Sequence, residues 1–98
     1  LKAIIAYLFS EGDLVDFTKL KSLLDDQVSW PDYYDFKFVT KTDHKHRVID
    51  LLSEHKISEK LSKNGKYTSI TSRKILNSSD EVVEVYMEVS QIEGVITL

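Results

Sequence analysis

Ser62-Lys63-Asn64-Gly65-Lys66-Tyr67-Thr68-Ser69-Ile70-Thr71 sets the centre of the fold. Asn-Gly between two strand-like runs is the strongest local hairpin signal, because glycine and asparagine tolerate the positive φ that tight reversals need. The run before it, Ile57 to Leu61, alternates weakly and carries Glu59 and Lys60, with Lys63 just beyond, as suits an edge strand. The run after it, Tyr67 to Leu76, places Tyr67, Ser69, Thr71, Arg73 and Ile75 on one face and Thr68, Ile70, Ser72, Lys74 and Leu76 on the other. Polar residues at Ser72 and Lys74 interrupt the apolar face, so a bulge or an early strand end is expected near Ser72.

Working outward, Tyr34 to Lys41 also has period two, with Tyr34, Phe36, Phe38 and Thr40 set against Asp35, Lys37, Val39 and Lys41. Thr42-Asp43 then offers a cap, and Val48, Leu51, Leu52 and His55 predict a second helix over His44 to His55. Earlier still, Phe17, Leu20, Leu23 and Leu24 give one apolar stripe over Asp16 to Gln27, with Asp13 or Asp16 as its cap and Trp30-Pro31 closing it. Downstream, Ser78 and Glu81 form a capping box ahead of Val82, Val85, Tyr86 and Val89; Gly94 stops that helix, and Val95 to Leu98 reads as a last strand.

The order is a lead helix followed by β-α-β-β-α-β. Two right-handed crossovers enclosing a hairpin predict an α+β ferredoxin-like fold: a four-stranded antiparallel sheet with two helices on one face, plus the N-terminal helix. The expected division is 1–14 as an extension, either non-native or an extra helix, 15–31 as lead helix and Trp-Pro joint, and 32–98 as the ferredoxin-like domain.

Three stretches resemble the YbeD-like family of small bacterial proteins: Ser29-Trp30-Pro31 leading into Tyr34-Asp35-Phe36-Lys37-Phe38-Val39, then Ser62 to Ile70, then Val89-Ser90-Gln91-Ile92-Glu93-Gly94-Val95-Ile96-Thr97-Leu98. The resemblance covers about residues 17 to 98. It implies the same split β-α-β fold, which is comparable with the ACT regulatory domain, and no assigned activity or catalytic residue. The chain departs from the family's pattern in residues 1 to 14 and in the polar residues Ser72 and Lys74.

Composition excludes several functions. With 98 residues, 42% apolar and 30% charged, the chain suits one globular core. It has no cysteine, which removes disulfides and every thiolate chemistry and suits a reducing cytoplasm. The formal charge of −3 argues against strong non-specific attachment to nucleic acid. The apolar run Ala3 to Phe9 is far too short to span a bilayer, and Glu11 and Asp13 follow it without a signal-peptide cleavage pattern, so the expected location is cytoplasmic.

Chemistry is sparse. His44, His46 and His55 lack the spacing of three or four that brings two imidazoles to one helical face, so no metal or other cofactor is expected. The carboxylates Asp25, Asp26, Asp80, Glu81, Glu84 and Glu88 fall on solvent faces or helix ends, and three glycines build no phosphate loop. Two surfaces remain. Lys37, Lys66, Tyr67, Ser69 and Arg73 form a candidate partner surface on the open sheet face. Thr40, Thr42, Asp43, His44 and His46 form a candidate small-ligand loop where ACT-like folds hold metabolites. The reading is a non-enzymatic protein-interaction or regulatory domain that binds another protein or self-associates. A small-metabolite sensor is the alternative, and weak single-stranded nucleic-acid binding a disfavoured third.

Overall fold

The computed structural model describes residues 17–98, so the expected extension 1–14 and the caps Asp13 and Asp16 lie outside the described residues. The elements are α1 (Phe17–Gln27), β1 (Asp32–Lys41), a 3-10 turn (Thr42–His44), α2 (Lys45–Ile49), β2 (Lys56–Leu61), β3 (Tyr67–Leu76), α3 (Ser79–Ser90) and β4 (Ile96–Thr97). The sheet is antiparallel with strand order β2-β3-β1-β4, the ferredoxin-like arrangement.

β1 alternates as its sequence demands. Tyr34, Phe36, Phe38 and Thr40 point into the core, and the three rings meet Tyr86 of α3 edge-on, Phe36 at 5.1 Å between centroids. Leu20 and Leu24 of α1 lie in that same core with Val48, Leu52, Ile70, Leu76, Val82 and Val89. Trp30, joined to Pro31 by a cis peptide, packs partly buried against its edge.

The bulge expected near Ser72 does not occur. β1 and β3 keep one register from Asp32↔Leu76 to Lys41↔Tyr67, so Thr68, Ile70, Ser72 and Leu76 all face the helices. Ser72 is accommodated there by a partner, since its hydroxyl lies 3.2 Å from Nδ1 of His55. A hydrogen-bonded serine tolerates burial that a bare one would not.

The second helix is also shorter than its apolar spacing predicts. After Ile49 the backbone bonds tighten to three-residue closures, Leu51 N–H to Val48 O and Leu52 N–H to Ile49 O, both 3.0 Å. Glu54 then takes a φ of +66°, which turns the chain into β2. Leu52 still reaches the core, and His55 enters from a turn rather than a helix.

The hairpin stands, with a loop of Ser62 to Lys66 rather than a two-residue reversal. Gly65 N–H bonds Ser62 O at 2.9 Å, and Gly65 has a φ of +72°. Asn64 works through its side chain: Oδ1 accepts from Lys66 N–H at 3.0 Å and from the Ser62 hydroxyl at 3.1 Å. At the start of α3, Ser78 Oγ accepts from Glu81 N–H at 3.4 Å, while the Glu81 carboxylate reaches back to Asn77 N–H at 2.5 Å. That is the expected capping box, its return bond displaced by one residue.

Candidate binding surfaces

Among the described residues, the helices cover one face of the sheet and leave the other open. Register brings Tyr33 opposite Ile75, Asp35 opposite Arg73, Lys37 opposite Thr71, Val39 opposite Ser69 and Lys41 opposite Tyr67 on that open face. β2 adds Lys56, Ser58 and Lys60, opposite Arg73, Thr71 and Ser69. β4 adds Ile96 beside Val39, and Leu98 N–H bonds Lys37 O at 2.9 Å beyond it.

The charge on this face opposes the charge of the chain. Lys37, Lys41, Lys56, Lys60 and Arg73 stand against one carboxylate, Asp35, in a protein of formal charge −3. Arg73 is committed, its guanidinium 3.4 Å from Asp35 and 4.4 Å from the centre of the Tyr33 ring. The four lysines make no ion pair among the described residues. Large apolar side chains lie among them: Tyr33, Ile75, Ile96 and Leu98 are each about half exposed. The acidic residues gather on the opposite side, where α3 carries Asp80, Glu81, Glu84 and Glu88.

Of the residues singled out in the sequence, Lys37, Tyr67, Ser69 and Arg73 share the open face. Lys66 belongs to the hairpin loop, with its ammonium 5.7 Å from the Tyr67 ring centre. Sequence reasoning missed Tyr33, Lys56, Lys60, Ile75, Ile96 and Leu98. The alternation of β2 carries a signal for Lys60, which the sequence offers only as edge protection, while Lys56 lies one residue before the strand that the sequence predicts.

The loop after β1 divides. Thr42 is structural: its hydroxyl donates to Gly65 O at 2.7 Å and lies 2.8 Å from Thr68 Oγ1, while its N–H bonds Lys66 O at 2.9 Å. Thr40 and His44 line a cavity of about 460 Å³ together with Lys41, Arg47, Tyr67, Glu93, Gly94 and Ile96. Asp43 and His46 are exposed beside it and do not line it. Among the described residues no group of three or more His, Cys, Asp or Glu is placed to hold a metal ion, and no helix is long and apolar enough to cross a membrane.

Against known proteins, the family DUF493, described as a protein of unknown function, matches residues 25–98. The chain belongs to DUF493. This is the YbeD-like family, and the match spans every strand of the sheet. Among solved structures, the DUF493 chain is similar to the solution structure of protein HP0495 from H. pylori, a structural-genomics target. The two share 24% identity at a TM-score of 0.62 over 74% of this chain and 86% of that one, a likeness of fold. No curated protein matches the DUF493 chain.

Proposed function

We propose that this domain is a non-enzymatic interaction module whose open sheet face binds an acidic, partly apolar segment of another protein in the cytoplasm. The observation that carries the proposal is the cationic face itself, with four lysines that are unpaired among the described residues interleaved with half-exposed Tyr33, Ile75, Ile96 and Leu98. Carboxylates of a partner complement the lysines and speed encounter, while the apolar side chains supply area to bury.

Two other occupants fit the face less well. Face-to-face pairing with a second copy would set the same lysines against one another, an arrangement that like-charge repulsion opposes. Single-stranded nucleic acid needs aromatic rings close enough for successive bases to stack. Here Tyr33 and Tyr67 lie at opposite ends of the face, eight residues of register apart, or about 27 Å at the rise of a strand. Lys37, Thr71, Val39 and Ser69 occupy the space between.

Amide chemical-shift mapping tests the proposal with two probes of equal charge, a peptide rich in Glu and Leu and a thymidine oligonucleotide. The expected result is saturable binding of the peptide, with shifts confined to the four strands of the sheet, weakened at least about tenfold by Lys37→Glu with Lys60→Glu. Tighter binding of the oligonucleotide, concentration-dependent dimerisation through the same amides, or no response to the peptide would each overturn it.

A further inference from the structure

We infer that the cavity at the end of β1, which borders the open face and shares Lys41, Tyr67 and Ile96 with it, is a binding site for a small organic anion bearing a phosphate or two carboxylates. The cavity forms where three segments distant in sequence converge. The end of β1 and its following turn supply Thr40, Lys41 and His44; α2 supplies Arg47, and β3 begins beside them with Tyr67. The loop from α3 to β4 closes the remaining side with Glu93 and Gly94, and β4 adds Ile96.

Its volume of about 460 Å³ falls in the range of small-molecule sites. The charge within it is uneven. Lys41 and Arg47 carry permanent positive charge, His44 offers an imidazole, and Glu93 is the one carboxylate. Among the described residues neither the Lys41 ammonium nor the Arg47 guanidinium makes an ion pair, so two cations face the cavity against the single Glu93 carboxylate. Unpaired cations on the wall of a concavity focus potential on its interior and raise the local concentration of anions. Arg47 can grip a carboxylate or phosphate through two parallel N–H bonds, with Lys41 adding a point charge.

The floor is firm. Thr40 is fully buried, and the adjoining Thr42 is bonded to Gly65, Lys66 and Thr68, so β1 and the hairpin loop are locked together beneath the basic residues. Ile96 and the Tyr67 ring give the wall an apolar part, room for the carbon body of a ligand between its charged ends. Gly94, at a φ of +82°, has nothing within 4 Å of the position a Cβ would occupy, so this wall presents bare backbone.

Glu93 decides between an anion and a zwitterion. An anionic ligand is repelled by it, whereas a zwitterion would pair its ammonium there. The test is isothermal titration at low ionic strength with pyrophosphate, citrate and succinate, alongside amide shifts of Tyr67 and Gly94. Saturable binding of at least one probe is expected, reduced about tenfold or more by Lys41→Ala and by Arg47→Ala and raised several-fold by Glu93→Gln. Saturation by pyrophosphate alone assigns the phosphate form, and saturation by the carboxylates alone assigns the other.

No heat and no shift up to about 10 mM probe would sink the proposal. So would binding indifferent to Lys41 and Arg47, or a loss of affinity in Glu93→Gln. Neither lysine variant of the open-face experiment lines this cavity, so Lys37→Glu with Lys60→Glu should leave anion binding in place. Arg47 lies on α2 and off the open sheet face, so Arg47→Ala should in turn leave peptide binding in place, and the paired results separate the two proposals although they share Lys41.

Discussion

The hydroxyls of Tyr34 and Tyr86 meet 3.0 Å apart in the buried core, joining the first strand to the last helix by a hydrogen bond between two aromatic rings. Their rings pack edge-on at 6.2 Å, so the polar contact sits inside an apolar one. Replacing Tyr86 by Phe leaves the Tyr34 hydroxyl short of a partner and should cost about 1–3 kcal/mol in urea denaturation. Replacing both should cost less than the two single changes added together, which a double-mutant cycle measures.

The same pair makes the fold sensitive to alkali. Burial pushes the Tyr34 phenol from 10.0 up to about 12 and raises Tyr86 further in the same direction, with burial again the leading cause. The unfolded chain therefore loses these protons first as pH rises above about 10, while the folded state retains them. The contribution of this pair is complete below about pH 10 and should fall steadily above it. The urea midpoint followed from pH 9 to about 12 should decline, and more shallowly in Tyr34→Phe with Tyr86→Phe.

On the acid side the responsible group is His55. Partial burial, with Lys74 adding like charge, holds its imidazole below the ordinary 6.5. The unfolded state then binds its proton first as pH falls, so the contribution is present above about pH 6.5 and is lost as pH drops through the folded value. Thermal midpoints should fall between pH 7 and about 5, and His55→Gln should flatten that slope. A slope unchanged in the variant would assign the acid sensitivity to other groups.

α1 is held to α3 by a buried serine. Ser79 donates to Asp25, and Lys21 bridges Asp25, Asp80 and the Ser79 hydroxyl, the last at 3.1 Å. The Ser79 hydrogen bond lowers the Asp25 carboxyl, and Lys21 reinforces it. Because Ser79 is buried while Lys21 is solvated, Ser79→Ala should lower the melting temperature more than Lys21→Ala. Added salt should narrow the difference from wild type for Lys21→Ala and leave Ser79→Ala nearly unmoved.

Gly65 tests the hairpin loop. A methyl group at this position meets nothing within 4 Å, so the penalty of Gly65→Ala comes from the backbone alone. Its φ of +72° makes that about 1–2 kcal/mol, and Gly65→Asn should cost less. Equal losses in the two variants would point to a contact rather than a conformational origin.

The sheet was largely legible from residue alternation because Tyr34, Phe36 and Phe38 carry enough bulk to declare a core face. Ser72 misled because its justification is His55, a residue that reaches it across the fold. The spacing of Val48, Leu51 and Leu52 imitates a helix, yet a tightening backbone and the left-handed Glu54 place these side chains by another route. Lys37, Tyr67, Ser69 and Arg73 share the open face because they fall on matching alternate positions of two strands. Lys56 and Lys60 join them only through the register of β2, and Arg47 meets Glu93 at one cavity only through the closure of the whole sheet.

Hairpin tips are usually the most forgiving places in a small domain for added residues. This one is anchored from outside, since Thr42 holds the carbonyl oxygens of both Gly65 and Lys66. Its length is therefore set by a residue more than twenty positions earlier in the chain, and an epitope or fluorophore spliced between Asn64 and Gly65 would pull on the end of β1. The hairpin is less an appendage of the sheet than a buckle, and engineering of this domain is better directed elsewhere.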